Sequence, residues 1–162
     1  MKYELKKNKQ LSGNKASIYT IYIHEENKTL LDIFIEENKI LHISELNDII
    51  LRLNVIGKKT GAREQFFKLK EGKPGDLVCA LYDNPDSKLR LYCIRFGSLL
   101  IIAGGGGPKS KKIRALQDDE KLTQENKIIR NLSEEIYKRT KEGNIKIIND
   151  GMDFEGDLDF EF

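Results

Sequence analysis

The chain has 162 residues, 39% apolar and 33% charged, which is material for one sizeable core or two very small ones, and a single domain is expected. Its 28 Lys/Arg against 26 Asp/Glu give a net charge of only +2, which on average argues against a dedicated nucleic-acid binder, yet residues 150–162 (DGMDFEGDLDFEF) hold six acids and no Lys or Arg, leaving +8 on residues 1–149. No uninterrupted apolar run exceeds six residues, so no membrane span is expected, and the opening MKYELKKNKQLSGNK lacks the apolar stretch of a secretory signal; a cytoplasmic protein is the expectation.

Residues 1–16 are mostly polar and read as an N-terminal arm with at most a short strand at residues 2–5. Residues 17–24 (SIYTIYIH) are rich in β-branched and aromatic residues and predict a strand. Leu30, Ile33 and Phe34 fall at helical spacing within residues 28–37. Ser44 is a candidate N-cap for a second helix, marked by Leu46, Ile49, Ile50, Leu53 and Ile56 and stopped by Gly57. Residues 66–71, 76–83, 88–96 and 98–103 read as four strands. Their links carry Lys73-Pro74-Gly75, then Asn84-Pro85-Asp86-Ser87, then Gly97. Links this short make neighbouring strands antiparallel.

Gly104–Gly107 then change the pattern. Four glycines strip the backbone and could let a phosphate approach the amides, but the P-loop spacing is absent and a flexible strand-to-helix hinge is the preferred reading. Leu122, Ile129, Leu132 and Ile136 mark an amphipathic helix of about 20 residues, ending at Gly143-Asn144. Residues 145–148 (IKII) suggest a last edge strand. The fold expected is α+β: a helical hairpin on a twisted antiparallel four-stranded meander, followed by a long C-terminal helix. Residues 17–149 would form that domain, and 150–162 an acidic tail, solubilising by composition or able to fold over a basic face.

Cys79 and Cys93 sit in apolar stretches and read as reduced core residues. His24 and His42 have no Cys or second His at ligand spacing, so neither a metal site nor a cofactor is expected. The positive charge gathers in two places: Arg52, Lys58, Lys59, Arg63, Lys68, Lys70 and Lys73 within residues 52–73, and Lys109, Lys111, Lys112 and Arg114 after the glycines. Strand alternation puts Lys68 with Lys70, and Arg90 with Tyr92, on one side of an otherwise apolar sheet. Such a side is either a plainly solvated face or a phosphate-binding cleft.

The phrases FFKLKEG, LVCALYD, KLRLY, SLLIIA and PKSKK, in this order within residues 64–110, resemble the RelE/HigB/ParE superfamily of bacterial type II toxin-antitoxin toxins. The resemblance implies a toxin that cuts messenger RNA on the ribosome and is held inactive by a cognate antitoxin, a small helix-turn-helix protein. It implies catalytic roles for Arg90, holding the scissile phosphate, and for Lys68 and Lys70, as clamps or proton donors. Arg63, Lys73, Tyr92, Lys109, Lys111 and Lys112 would bind RNA. The alternative is a non-catalytic binder acting on a protein or nucleic-acid partner.

Overall fold

The computed structural model describes residues 1–69, 71, 77–81, 88–109 and 115–162, without the side chains of 115–119. Among the described residues, ten strands and three α-helices follow one another as β1 (Lys2–Lys7), β2 (Ser17–Ile23), β3 (Lys28–Thr29), α1 (Leu30–Asn38), α2 (Ile43–Val55), β4 (Phe67–Lys68), β5 (Val78–Leu81), β6 (Leu89–Arg95), β7 (Leu100–Pro108), α3 (Ala115–Glu142), β8 (Ile145–Ile148), β9 (Asp153–Gly156) and β10 (Asp159–Glu161).

The four-stranded meander followed by a C-terminal helix is overturned, since three further strands come after α3. Eight strands form one mixed sheet, in the order β10-β1-β2-β7-β6-β5-β4, with the short β3 paired to β2. The antiparallel run from β4 to β7 is only part of it. On the far side of β7, β2 pairs in parallel, with Ser17 opposite Leu100 and Thr20 opposite Ala103, then β1 pairs antiparallel to β2 and β10 antiparallel to β1. A parallel neighbour needs a long crossover, and residues 24–99, with α1 and α2, provide it.

Helices cover both faces of the central strands of this sheet. One face of β1, β2, β6 and β7, with Tyr3, Leu5, Ile21, Tyr92, Ile94 and Ile102, packs against Leu122, Ile129, Leu132 and Ile136 of α3. The other face, with Ile18, Leu91, Cys93 and Ile101, packs against Leu31 and Phe34 of α1 and Leu46, Ile49 and Leu53 of α2. Alternate residues of a strand point to opposite faces, so β6 buries side chains on both, and its thiol at Cys93 is fully enclosed. Burial raises the Cys93 pKa well above 9.0.

Helix ends differ from expectation in instructive ways. Thr29 caps α1: its hydroxyl accepts from the Asp32 amide while the Asp32 carboxylate accepts from the Thr29 amide. Ser44 is not a cap. α2 begins one residue before it, at Ile43, behind His42, whose side chain makes no capping bond. Gly57 is not the stop either, because a π turn over Ile56–Thr60 carries the helix on to Gly61, whose φ of 76° ends it.

The two ends of the chain are the largest departure from the sequence reading. The expected short strand at residues 2–5 is β1, which runs to Lys7 and lies between β2 and β10 inside the sheet. The acidic tail is built into the fold rather than disordered: β9 pairs with β8 in a separate two-stranded sheet, and β10 pairs with β1. Residues 145–148 therefore make a hairpin strand rather than an edge of the main sheet. Phe154 is held edge-on by Tyr19 and Phe96, with ring centroids 4.9 and 5.2 Å away. The Tyr19 hydroxyl accepts from the Phe154 amide at 3.1 Å. Phe160 is buried beneath the Arg139 guanidinium, 4.2 Å from the ring centre.

Candidate functional site

Gly104–Gly107 fall within β7 and are buried, so they are neither a hinge nor an open phosphate loop. None of the four has a positive φ. What they supply is closeness: a Cβ on Gly104 would lie 2.3 Å from Cδ1 of Ile129, and one on Gly105 2.4 Å from Oε2 of Glu125. A helix carrying side chains of that size can rest on this part of the sheet only if the strand has none.

The helix brings Glu125 into the interior. Its residue is 6% exposed. Oε1 accepts from the Lys121 ammonium at 2.8 Å, while Oε2 has no hydrogen-bond partner among the described residues. Burial works against the Lys121 cation, but the hydrogen bond and charge of Glu125, joined by Glu37 at 3.4 Å, outweigh it and raise its pKa. The sequence signal for Glu125 is its place three residues after Leu122 and four before Ile129, inside the apolar stripe of α3.

Beside this lies the cluster around Glu71. Its Oε1 is 3.2 Å from the Lys68 ammonium, its Oε2 is 3.8 Å from Nη1 of Arg90, and its backbone carbonyl accepts from Asn126 Nδ2 at 2.8 Å. The Glu71 side chain is 15% exposed, Arg90 22% and Lys68 58%, so the two cations approach one partly enclosed carboxylate from its solvent side and its sheet side. Tyr92 follows two residues after Arg90 on the same face. Burial raises its hydroxyl pKa, and a hydrogen bond with Arg90 opposes the rise.

The structure thus brings Arg90, Lys68 and Tyr92 together. It does not leave them on an open basic face, as alternation suggested, because α3 covers that face and Tyr92 is only 4% exposed. Lys109 lies at the same end of the sheet, its amide donating to the Lys88 carbonyl at 2.5 Å. Arg63 is elsewhere: the carbonyl of neighbouring Ala62 accepts from Arg95 Nε, five residues and about 17 Å along β6 from Arg90. Lys70, Lys73, Lys111 and Lys112 lie outside the described residues. The acidic tail does not reach this cluster, since β10 is four strands from β6, about 19 Å across the ladder.

Sequence reasoning missed Glu71, Lys121, Glu125 and Asn126. The clue to Glu71 was its spacing of three from Lys68. Chemically, an ammonium and a guanidinium that converge on a carboxylate are also donors suited to an anionic phosphate oxygen. Compared with family models, characterised proteins and solved structures, the chain shows no match. No helix among the described residues is long and apolar enough to cross a membrane.

Proposed function

We propose that the chain is an RNA-cleaving toxin that acts on messenger RNA engaged by the ribosome and is neutralised by a cognate antitoxin. The observation that supports it is the convergence of Arg90 and Lys68 on the single carboxylate of Glu71. In this reading the scissile phosphate displaces Glu71 from Arg90, whose planar guanidinium then faces two phosphate oxygens. Glu71 takes the proton of the 2′-hydroxyl as that oxygen bonds to phosphorus. The bond from phosphorus to the 5′ oxygen breaks, and the Lys68 ammonium protonates the departing oxygen. The products are a 2′,3′-cyclic phosphate and a 5′-hydroxyl, and proton return from Glu71 to Lys68, 3.2 Å apart at rest, resets both groups. Arg90 stabilises the charge that grows on the phosphorane.

The test is primer extension on messenger RNA after induction, comparing wild type with Arg90→Ala and Glu71→Gln. Loss of one donor to a developing oxyanion costs about 10²–10³ in rate and loss of a general base about 10²–10⁴, so both variants should relieve growth arrest. Undiminished cleavage by Arg90→Ala overturns the assignment. A second reading, a non-catalytic binder of an anionic partner, draws on the burial of Tyr92 and the closure of its face by α3. It predicts toxicity without new messenger-RNA ends.

A further inference from the structure

We infer that Glu4, His24 and Asp159 form a binding site for a divalent transition-metal ion of the zinc class, separate from the Glu71 cluster. Two of the residues lie on adjacent strands, β1 and β10, and the third directly follows the last residue of β2. Glu4 on β1 stands opposite Asp159 on β10 and opposite Tyr22 on β2, and His24 follows Tyr22 by two residues. Cross-strand partners and residues two apart share a face, so the three side chains project together. They do so away from α3, since Tyr3, Leu5, Ile23 and Phe160, which alternate with them, are buried against that helix.

The geometry is close to what an ion needs. Zinc binds imidazole nitrogen and carboxylate oxygen at about 2.1 Å in a tetrahedron, which sets its ligands about 3.4 Å apart. Nε2 of His24 is 3.3 Å from Oε1 of Glu4, and one ligand atom from each of the three residues lies within 4.8 Å of the others. Drawing in the Asp159 arm takes a movement of at most about 1.4 Å, which a rotamer adjustment of an exposed carboxylate provides.

The surroundings favour the same reading. The imidazole is set edge-on to the Tyr22 ring, centroids 5.1 Å apart at 88°. Two neighbouring cations are engaged elsewhere: Lys6 sits 3.8 Å over the Tyr22 ring, and Arg139 binds the Asp157 carboxylate and the Asp159 carbonyl while covering Phe160. Among the described residues no cation pairs with the Asp159 carboxylate. His24 and Asp159 also line an open depression of about 580 Å³, with Lys2, Arg139 and Glu161 on its walls. One imidazole and two carboxylates fill three positions of a tetrahedron and leave the fourth for water or an exchangeable ligand.

The experiment is calorimetric titration of the full chain with Zn²⁺ alone, paired with the visible spectrum after Co²⁺ addition. His24→Ala and Asp159→Asn test the ligands, and His42→Ala is the control, with circular dichroism recording whether each variant folds. Wild type and His42→Ala should take up one ion per chain and show the intense visible bands of low-coordinate Co²⁺. His24→Ala and Asp159→Asn should bind at least about tenfold more weakly, the smallest loss typical even for outer-sphere partners of a metal site. The proposal is overturned by no uptake up to millimolar Zn²⁺, or by wild-type affinity in either folded ligand variant. Asp159→Asn keeps the shape of the side chain on an edge strand, so the test stands even if His24→Ala fails to fold.

Discussion

A methyl group added at Gly106 would strike the neighbouring strand. The Cβ would fall 1.8 Å from the carbonyl oxygen of Arg90, a backbone atom, and contacts under 3.0 Å are essentially never tolerated. The strands must therefore part by about 1.2 Å, which stretches an N–H···O bond of about 2.9 Å to about 4.1 Å and breaks it. Two ladder bonds around Arg90 and Gly107 lost in this way, at about 1–2 kcal/mol each when their groups stay buried, outweigh the 0.5–1 kcal/mol that alanine recovers in chain entropy, each an order-of-magnitude figure. Gly106→Ala is expected to cost about 2–3 kcal/mol, a fall of about 4–12 °C in Tm for a chain of this size. Gly107→Ala is the internal control. Its Cβ would meet the flexible Lys121 stem at 3.3 Å and Cδ2 of Leu122 at an ordinary contact distance of 4.0 Å, and its stability should stay within about 0.5 kcal/mol of wild type. Urea denaturation of both proteins measures the difference. Equal stability of the two would refute the placement of these glycines in the β6–β7 ladder. A loss of ligand binding without a loss of stability would restore the phosphate-loop reading.

Two further outcomes test the ends of the chain. Phe160→Ala removes a 2% exposed ring from beneath Arg139 and should cost about 3 kcal/mol in chemical denaturation, whereas Phe162→Ala, at a 45% exposed ring, should cost well under 1 kcal/mol. Hydrogen bonds from Lys7 and Asn149 hold the Asp153 carboxyl below its ordinary 3.8. A depressed carboxyl contributes stability that is present above the unfolded pKa and lost as pH falls through the folded one. Melting curves of wild type and Asp153→Asn should therefore differ by a constant amount from pH 5 to 8 and converge below about pH 4.

What could be read in advance follows from how local each signal is. The β-branched and aromatic run before His24 and the short Gly- and Pro-bearing links between residues 66 and 103 mark strands through neighbours only a few residues away. The parallel pairing of β2 with β7 joins residues about 80 apart and leaves no such mark. β7 was cut short in the sequence reading because glycine carries no strand preference, and its extension is set by α3 above it. In the tail, D-F-E alternation already described a half-buried strand, but the acids dominated the composition and hid the period. For the site, Arg90, Lys68 and Tyr92 were found because they alternate along strands. Glu71 showed itself only as a spacing of three from Lys68, Glu125 and Asn126 join the cluster only through the docking of α3, and His24 meets Glu4 and Asp159 only when both ends of the chain enter the sheet.

The position of β1 has a kinetic consequence. Its inner edge is satisfied by β2, from about 15 residues away, but its outer edge is covered only by β10, from more than 150 residues away. Contacts that distant form late, because loop closure must precede them. Until β10 arrives, Lys2–Lys7 offers an unpaired backbone edge to any other chain. The lysines at positions 2, 6 and 7 repel a second copy of the same edge, which makes the strand's own charge its protection during folding.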